Sequence, residues 1–348
     1  MEHEHMFFRP ADGRLLQQSV LKHIKRRPYG VAEGAYFGND AAVFKTAGGY
    51  EIQASGAAMT AWFSDGASVA AEEAAFVIAE NQLATAGAEP KAVQVFLTMG
   101  RDFPENRVRS LMQSLNRLSE ERGCHIVGGN TVYFGTGNDA LIQIFMTGET
   151  PDTAAYPEAG RKAVPGDGIW FYGETGCLGA ELLAAGMMKL LREHFSDSYI
   201  EEMRYDAGAF SVRRAAVCAM EAGAVYLHDV SYGGVYTALY QLAEAQGTGI
   251  AVRHEGLRIR QSVIELCEVL GINPYLLLGT GGLLMTVPGG REDAWRIKME
   301  EAGFPVYPAG RITAEKARVV RAEGFQMERY LNLSDEEAML NLVKPAEG

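Results

Sequence analysis

The alternation of apolar and polar positions divides the chain into two series of elements. In the first, β-branched and aromatic residues predict strands at Tyr50 to Ala54 (YEIQA), Ala92 to Met99 (AVQVFLTM) and Ala140 to Met146 (ALIQIFM). An Ala- and Glu-rich helix is expected over Ser68 to Ala86, with Gly87 placed to stop it. Pro104 opens a second helix, in which Val108, Leu111, Met112, Leu115 and Leu118 recur at helical spacing and Gly123 supplies the stop.

The stretch Glu149 to Gly168, rich in Pro, Gly and Ala, interrupts this periodicity and reads as a surface connection. It predicts an N-terminal domain over residues 1–155 and a C-terminal domain over 156–348. In the second series Gly168 to Tyr172 (GIWFY) is strand-like, and Leu178 to Leu191 and Ala207 to Ala222 are helical. The strand-like AVYLHDV precedes a helix over Val235 to Ala245 with Val235, Leu239 and Leu242 on one face. Leu276 to Val287 is two apolar halves around a glycine turn. Strands alternating with helices in both halves predict an α+β protein with sheets covered by helices.

The 348 residues are enough for two cores, and 47% hydrophobic with 22% charged residues is ordinary for a soluble globular chain. A formal net charge of −12 repels phosphate backbones, which argues against nucleic acid as a partner but leaves room for one pocket holding one nucleotide. The chain has no 18-residue apolar run and no signal-peptide pattern, so no membrane association and a cytoplasmic location are expected. Cys124, Cys177, Cys218 and Cys267 are scattered without C-x-x-C spacing and are expected to be free thiols. The seven histidines show no metal-ligand spacing. The methionines, Trp62, Trp170 and Trp295 read as packing.

Five short elements set glycines beside polar side chains. Gly38-Asn39-Asp40-Ala41 offers backbone N–H groups and a carboxylate, a way to hold a phosphate and its metal ion, although a turn before a strand explains it as well. Asn81-Gln82-Leu83 lies near a helix end that Gly87 and Pro90 would stop. Gly128-Gly129-Asn130-Thr131 follows a buried-looking strand, where a ligand could approach closely or the chain could form a β-bulge. Gly173-Glu174-Thr175-Gly176 is a strand-turn-helix transition suited to an anion, without the Lys-Ser/Thr ending of a P-loop. His228-Asp229-Val230-Ser231-Tyr232-Gly233-Gly234 also opens a helix; its His-Asp pair suits acid–base work or helix capping.

The order and spacing of GNDAAVF, NQLATAGAEP, IVGGNT, GETGCLG and HDVSYGG resemble the aminoimidazole ribonucleotide synthetase superfamily, over roughly Gly38 to Val287. The later LAEAQGTGIAV and CEVLGINPYLLLGTGG are similar to its hydrogenase-maturation-like, AIR synthase-related branch. The resemblance implies a two-domain PurM-like fold, a homodimer formed by the N-terminal sheets, and ATP bound between the domains with Mg²⁺ held by aspartates. It implies Asp40, His228 and Asp229 as catalytic residues, with Asp40 as the metal ligand. Gly38, Asn39, Asn81, Gln82, Gly128, Gly129, Asn130, Thr131, Gly173, Gly176, Gly233 and Gly234 then belong to the nucleotide site.

Several family acids are absent. Gly-Asp-Asp is Gly38-Asn39-Asp40 here, Thr-Asp falls on Ser55-Gly56, Asn-Asp-Leu is Asn81-Gln82-Leu83, and Gly-Gly-Asp/Glu-Thr is Gly128-Gly129-Asn130-Thr131. Amides compensate the desolvation of a divalent ion poorly. Asp65 is a spare candidate acid outside the matched motifs. The chain ends in NLVKPAEG without the terminal cysteine of the family's carbamoyl dehydratase, so that activity is not expected. The resulting expectation is ATP-dependent phosphoryl transfer or activation of an unknown small-molecule or protein-group acceptor. The alternatives are a nucleotide-binding or scaffold protein that has lost catalysis, and a structural partner in an assembly.

Overall fold

The computed structural model describes residues 13–24, 31–151, 162–322, 328–332 and 337–342. The first half carries six strands: β1 (Val31–Glu33), β2 (Ala41–Thr46), β3 (Gly49–Met59), β4 (Glu89–Met99), β5 (His125–Tyr133) and β6 (Ala140–Pro151). They form one sheet in the order β1-β2-β3-β6-β4-β5. Neighbours are antiparallel except β4 and β5, which are parallel. The three expected strands lie within β3, β4 and β6, each of which runs further, and β6 is inserted between the other two.

The Ala71–Thr85 helix lies across β3 and β6. It is built from alanine because the two backbones come very close: a Cβ on Gly56 of β3 would run into the Ala75 carbonyl and stand 2.7 Å from the Ala79 nitrogen. Ala71, Ala74, Ala75 and Ala79 are buried at that contact. The Glu105–Glu121 helix packs against it through Leu111, Leu115 and Leu118, ending before Gly123 at φ +68° as its glycine requires.

Gly128 and Gly129 do not follow a buried strand. They lie inside β5, which is exposed along nearly its whole length because it is the sheet's last strand, with only β4 beside it. The register slips by one residue between Val93 and Gln94, so β5 is bulged at Val127. Gly129, at φ +147°, allows the bulged strand to close on the Val95 carbonyl.

The second half carries β7 (Gly168–Tyr172), β8 (Tyr226–Val230), β9 (Gly249–Arg253), β10 (Gly282–Val287), β11 (Val306–Thr313), β12 (Arg318–Arg321) and β13 (Glu328–Tyr330). Their order is β13-β12-β9-β11-β7-β10-β8, antiparallel apart from β9 and β12. The expected helix over Leu178 to Leu191 is broken in two, Cys177–Gly186 and Met188–Leu191. That over Ala207 to Ala222 shortens to Arg213–Ala222, preceded by a single turn at Ala207–Phe210, because the Phe210 carbonyl and Val212 amide bond to a side chain of the first half instead.

That side chain is Asn81, fully buried, with Nδ2 donating to Phe210 O at 2.8 Å and Oδ1 accepting from Val212 N at 2.9 Å. Buried Glu181 makes a second cross-link, accepting from Ser68 N, Tyr205 N and the Arg204 guanidinium. One apolar cluster runs from Val43, Ile52 and Phe76 through to Leu178, Phe210 and Leu277, so the two halves share a core.

Candidate functional site

The site lies where β2 and β3 of the first sheet meet the end of β8 in the second. A cavity of about 280 Å³ is lined by Asp40, Ser55, Gly56, Ala57, Ile78, Gln82, Gln143, Asp229, Ser231, Tyr232 and Gln241. Each half positions its own contribution. Gly38 turns the chain into β2 at φ +86°, lying so close to the Gln241 carbonyl that a Cβ would collide with it. The turn is held by Asn39, whose Nδ2 donates to Gly34 O at 2.6 Å. Tyr232 spans the junction, its hydroxyl donating to Ala57 O at 2.5 Å.

Asp40, at the entrance to β2, faces His228 on β8, with Oδ2 2.5 Å from Nδ1. The two side chains form an ion pair. On the other side His228 Nε2 is 3.1 Å from Gln241 Oε1, and the ring stacks on Tyr226. Burial alone would lower the imidazole's affinity for its proton. The charges of Asp40 and Asp229 and the contacts with Asp40 and Gln241 outweigh it, and the pKa is pushed up to about 9. His228 is therefore an imidazolium at neutral pH.

The pKa of Asp229 is shifted in the same direction. Burial first, and then the charge of Asp40, push its carboxyl well above the usual carboxylate range against the opposing pull of His228. Asp229 and Ser231 both line the cavity, and among the described residues Ser231 Oγ has no hydrogen-bond partner.

Other motif residues hold the scaffold. Gln82 Nε2 donates to Ser55 O at 2.8 Å and Asp40 O at 3.1 Å, in the amide orientation that satisfies both ends. Asn81 has both ends of its amide engaged with Phe210 and Val212. Gly128, Gly129, Asn130 and Thr131 lie on β5 and do not line the cavity; Asn130 Oδ1 accepts from Thr131 N at 2.9 Å. Gly173 packs on Gly281, and Gly176 starts the Cys177–Gly186 helix against Leu277, both away from the cavity lining. Gly233 and Gly234 open the Gly234–Gln246 helix at φ +78° and +64°. Asp65 belongs to a different cavity, of about 260 Å³, where it faces Arg107 at 3.8 Å.

A divalent ion finds no set of ligands here. Among the described residues no three or more His, Cys, Asp and Glu side chains are arranged to hold a metal ion. Asp40 already faces an imidazolium, Gln82 is engaged with the backbone, and position 56 has no room for a side chain. The family's Mg²⁺ site is therefore not reproduced by these residues.

Sequence reasoning missed Gln143 and Gln241. Gln241 is one of two amides in an otherwise ordinary helix, and Gln143 one polar position in a β-pattern. Glu337 was also missed: its carboxylate accepts from Gly233 N and Leu278 N at 2.7 and 2.9 Å. Its spacing from the glycine motif gave no signal. No described helix is long and apolar enough to cross a membrane.

Two family models match the chain: the N-terminal domain of AIR synthase related protein over residues 38–150 and the C-terminal domain over residues 164–323. A carbamoyl dehydratase HypE from Rhodobacter capsulatus is 30% identical over 250 residues, covering 69% of each chain. Among solved structures, a HypE–HypF complex superposes with a TM-score of 0.70 at 19% identity, over 91% of this chain and 99% of that one. Hydrogenase maturation protein HypE in complex with ATP gives 0.66 at 20% identity, over 93% and 95%. These structures share the two-domain fold. The chain belongs to the AIR synthase related family.

Proposed function

We propose that this protein binds ATP in the cleft between its halves and uses it to activate an acceptor group by phosphoryl transfer. The observation that carries the reading is Asp40, a part-exposed carboxylate on the cavity wall, backed by the buried imidazolium of His228. The HypE relative solved with ATP supports the choice of nucleotide. In phosphoryl transfer side chains chiefly position groups and stabilise charge. Asp40 orients the acceptor hydroxyl and takes up its proton as the oxygen attacks the terminal phosphorus and ADP departs. His228 balances the charge of Asp40, and Asp229 offers its carboxyl to a ligand from the cavity wall. The acceptor is a small molecule or a group on a protein.

Calorimetric titration with a non-hydrolysable ATP analogue, with and without Mg²⁺, tests the reading. Binding in both conditions supports it, and absence of binding in both rejects it. ADP release by the wild type and by Asp40→Asn then separates enzyme from binder. The second reading, a nucleotide-binding protein without catalysis, is favoured by the structural employment of Asn81, Gln82 and Gly56. Nucleotide binding without any turnover would select it.

A homodimer is part of the proposal. The β5 edge carries exposed Val127, Val132 and Tyr133, followed by exposed Phe134, an apolar border that a second copy of the sheet would cover.

A further inference from the structure

Glu337 is a buried carboxylate that the proposed reaction does not use. It lies beyond the matched C-terminal domain, which ends at residue 323. Its two oxygens are held by backbone amides from two separate turns: Oε2 accepts from Gly233 N at 2.7 Å and Oε1 from Leu278 N at 2.9 Å. Gly233 stands at the start of the Gly234–Gln246 helix, where free amides and the helix dipole favour an anion. Leu278 brings a second donor from outside that helix, and both donors engage one anion, a carboxylate of the same chain. The turns are themselves tied together, with Gly234 N and Gly279 N both donating to Ser231 O at 3.1 Å. Ser231 and Tyr232, the residues immediately before this seat, line the cavity. Ala338 and Met339 follow Glu337 into the apolar core that contains Leu277, Leu278 and Cys267, so the carboxylate is held by packing as well as by hydrogen bonds.

We propose that residues 337–342 act as an autoinhibitory strap, whose Glu337 carboxylate fills an anion seat that a phosphate-bearing ligand must empty in order to bind. The proposal rests on reading the adjoining cavity as a nucleotide site. Docked, the strap removes the Gly233 and Leu278 amides from use and sets a negative group beside the cavity. Expelled, it leaves two converging donors for a phosphate. The ligand class is polyphosphate-bearing, and affinity is limited by the strap's own docking.

The test measures binding of tripolyphosphate and of a non-hydrolysable ATP analogue by calorimetry, to the wild type, Glu337→Gln and Met339→Ala. Hydrogen exchange is followed in the peptide covering residues 337–342. Glu337→Gln keeps the shape and an acceptor oxygen but removes the charge; Met339→Ala loosens the strap without altering charge or seat. Both variants should bind tripolyphosphate at least about tenfold tighter than the wild type, and saturating anion should speed exchange of 337–342 in the wild type. If tripolyphosphate does this and the ATP analogue does not bind, the strap stands and the nucleotide reading falls. If the analogue binds while exchange of 337–342 is unchanged, the nucleotide reading stands and the strap is overturned. Equal affinity in Met339→Ala and wild type, or no binding of either anion to any form, also overturns it.

Discussion

Gln82 donates both amide hydrogens to backbone carbonyls, one of them that of Asp40 at 3.1 Å and the other that of Ser55 at 2.8 Å. The amide that stands where the family has an acid therefore ties β2 to β3 and fixes the backbone from which the Asp40 carboxylate projects. A carboxylate at this position can only accept, and it would face two carbonyl oxygens. Gln82→Glu should therefore destabilise the fold by roughly 2–4 kcal/mol, through lost hydrogen bonds and repulsion. It should not create Mg²⁺ binding. Urea denaturation reads the first effect and calorimetry with Mg²⁺ the second.

The elevated pKa of His228 depends on its carboxylate neighbours. Asp40→Asn keeps the shape and removes the charge 2.5 Å from Nδ1, so the imidazole should titrate at least about one unit below its value of about 9. NMR titration of the His228 ring measures this directly. An unchanged titration would show that Asp229 and Gln241 hold the proton without Asp40. On the enzyme reading the same variant should also lower turnover about a hundredfold or more.

Two buried groups make the protein more stable at low pH than at high pH. His228 is raised from 6.5 to about 9, so its contribution is complete below pH 6.5 and disappears as pH rises through 9. Glu337 is raised from 4.5 to about 7, chiefly by burial and against its backbone hydrogen bonds; it binds a proton more tightly folded than unfolded. Its contribution is complete below pH 4.5 and is lost as pH rises through 7. Each shift corresponds to at most about 3 kcal/mol. The urea midpoint should fall between pH 5 and pH 9, and Glu337→Gln should flatten the part of the decline between pH 4.5 and 7.

Asn81 joins the halves, so Asn81→Ala should leave the Phe210 carbonyl and Val212 amide unsatisfied in a buried place. The cost is roughly 2–5 kcal/mol. Denaturation monitored by tryptophan fluorescence measures it, and a loss below about 1 kcal/mol would mean that water replaces the side chain.

The exposed β5 edge gives a test of assembly. Val127→Lys with Val132→Lys places two charges on this border without touching the cavity lining. Sedimentation should show a dimer for the wild type and a monomer for the double variant. A wild-type monomer at micromolar concentration removes the dimer from the proposal.

Local patterning was sufficient for much of the fold. Residues 92–99 and 140–146 carry the β-branched and aromatic runs that became β4 and β6, and the glycine at 123 stops a helix because only a residue without Cβ sits easily at φ +68°. The motif series also pointed to Asp40, His228 and Asp229; Asp40 and Asp229 lie on the wall of one cavity, and His228 is buried against Asp40. The same series did not show that Asn81 and Gln82 hold backbone groups, because an amide that does so and one that faces a nucleotide look alike in a sequence.

What the sequence determined by itself was the alternation of elements and the family, since these rest on local spacing and residue type. What only the tertiary structure decided was which polar groups are already engaged. The insertion of β6 between β3 and β4, the closeness of Gly56 to Ala75, the two carbonyls facing Gln82 and the Glu337 carboxylate on Gly233 all join residues far apart in the chain. A side chain's chemistry is set by its type, but its availability is set by the partners that folding brings within hydrogen-bond distance, and those partners have no fixed spacing along the chain.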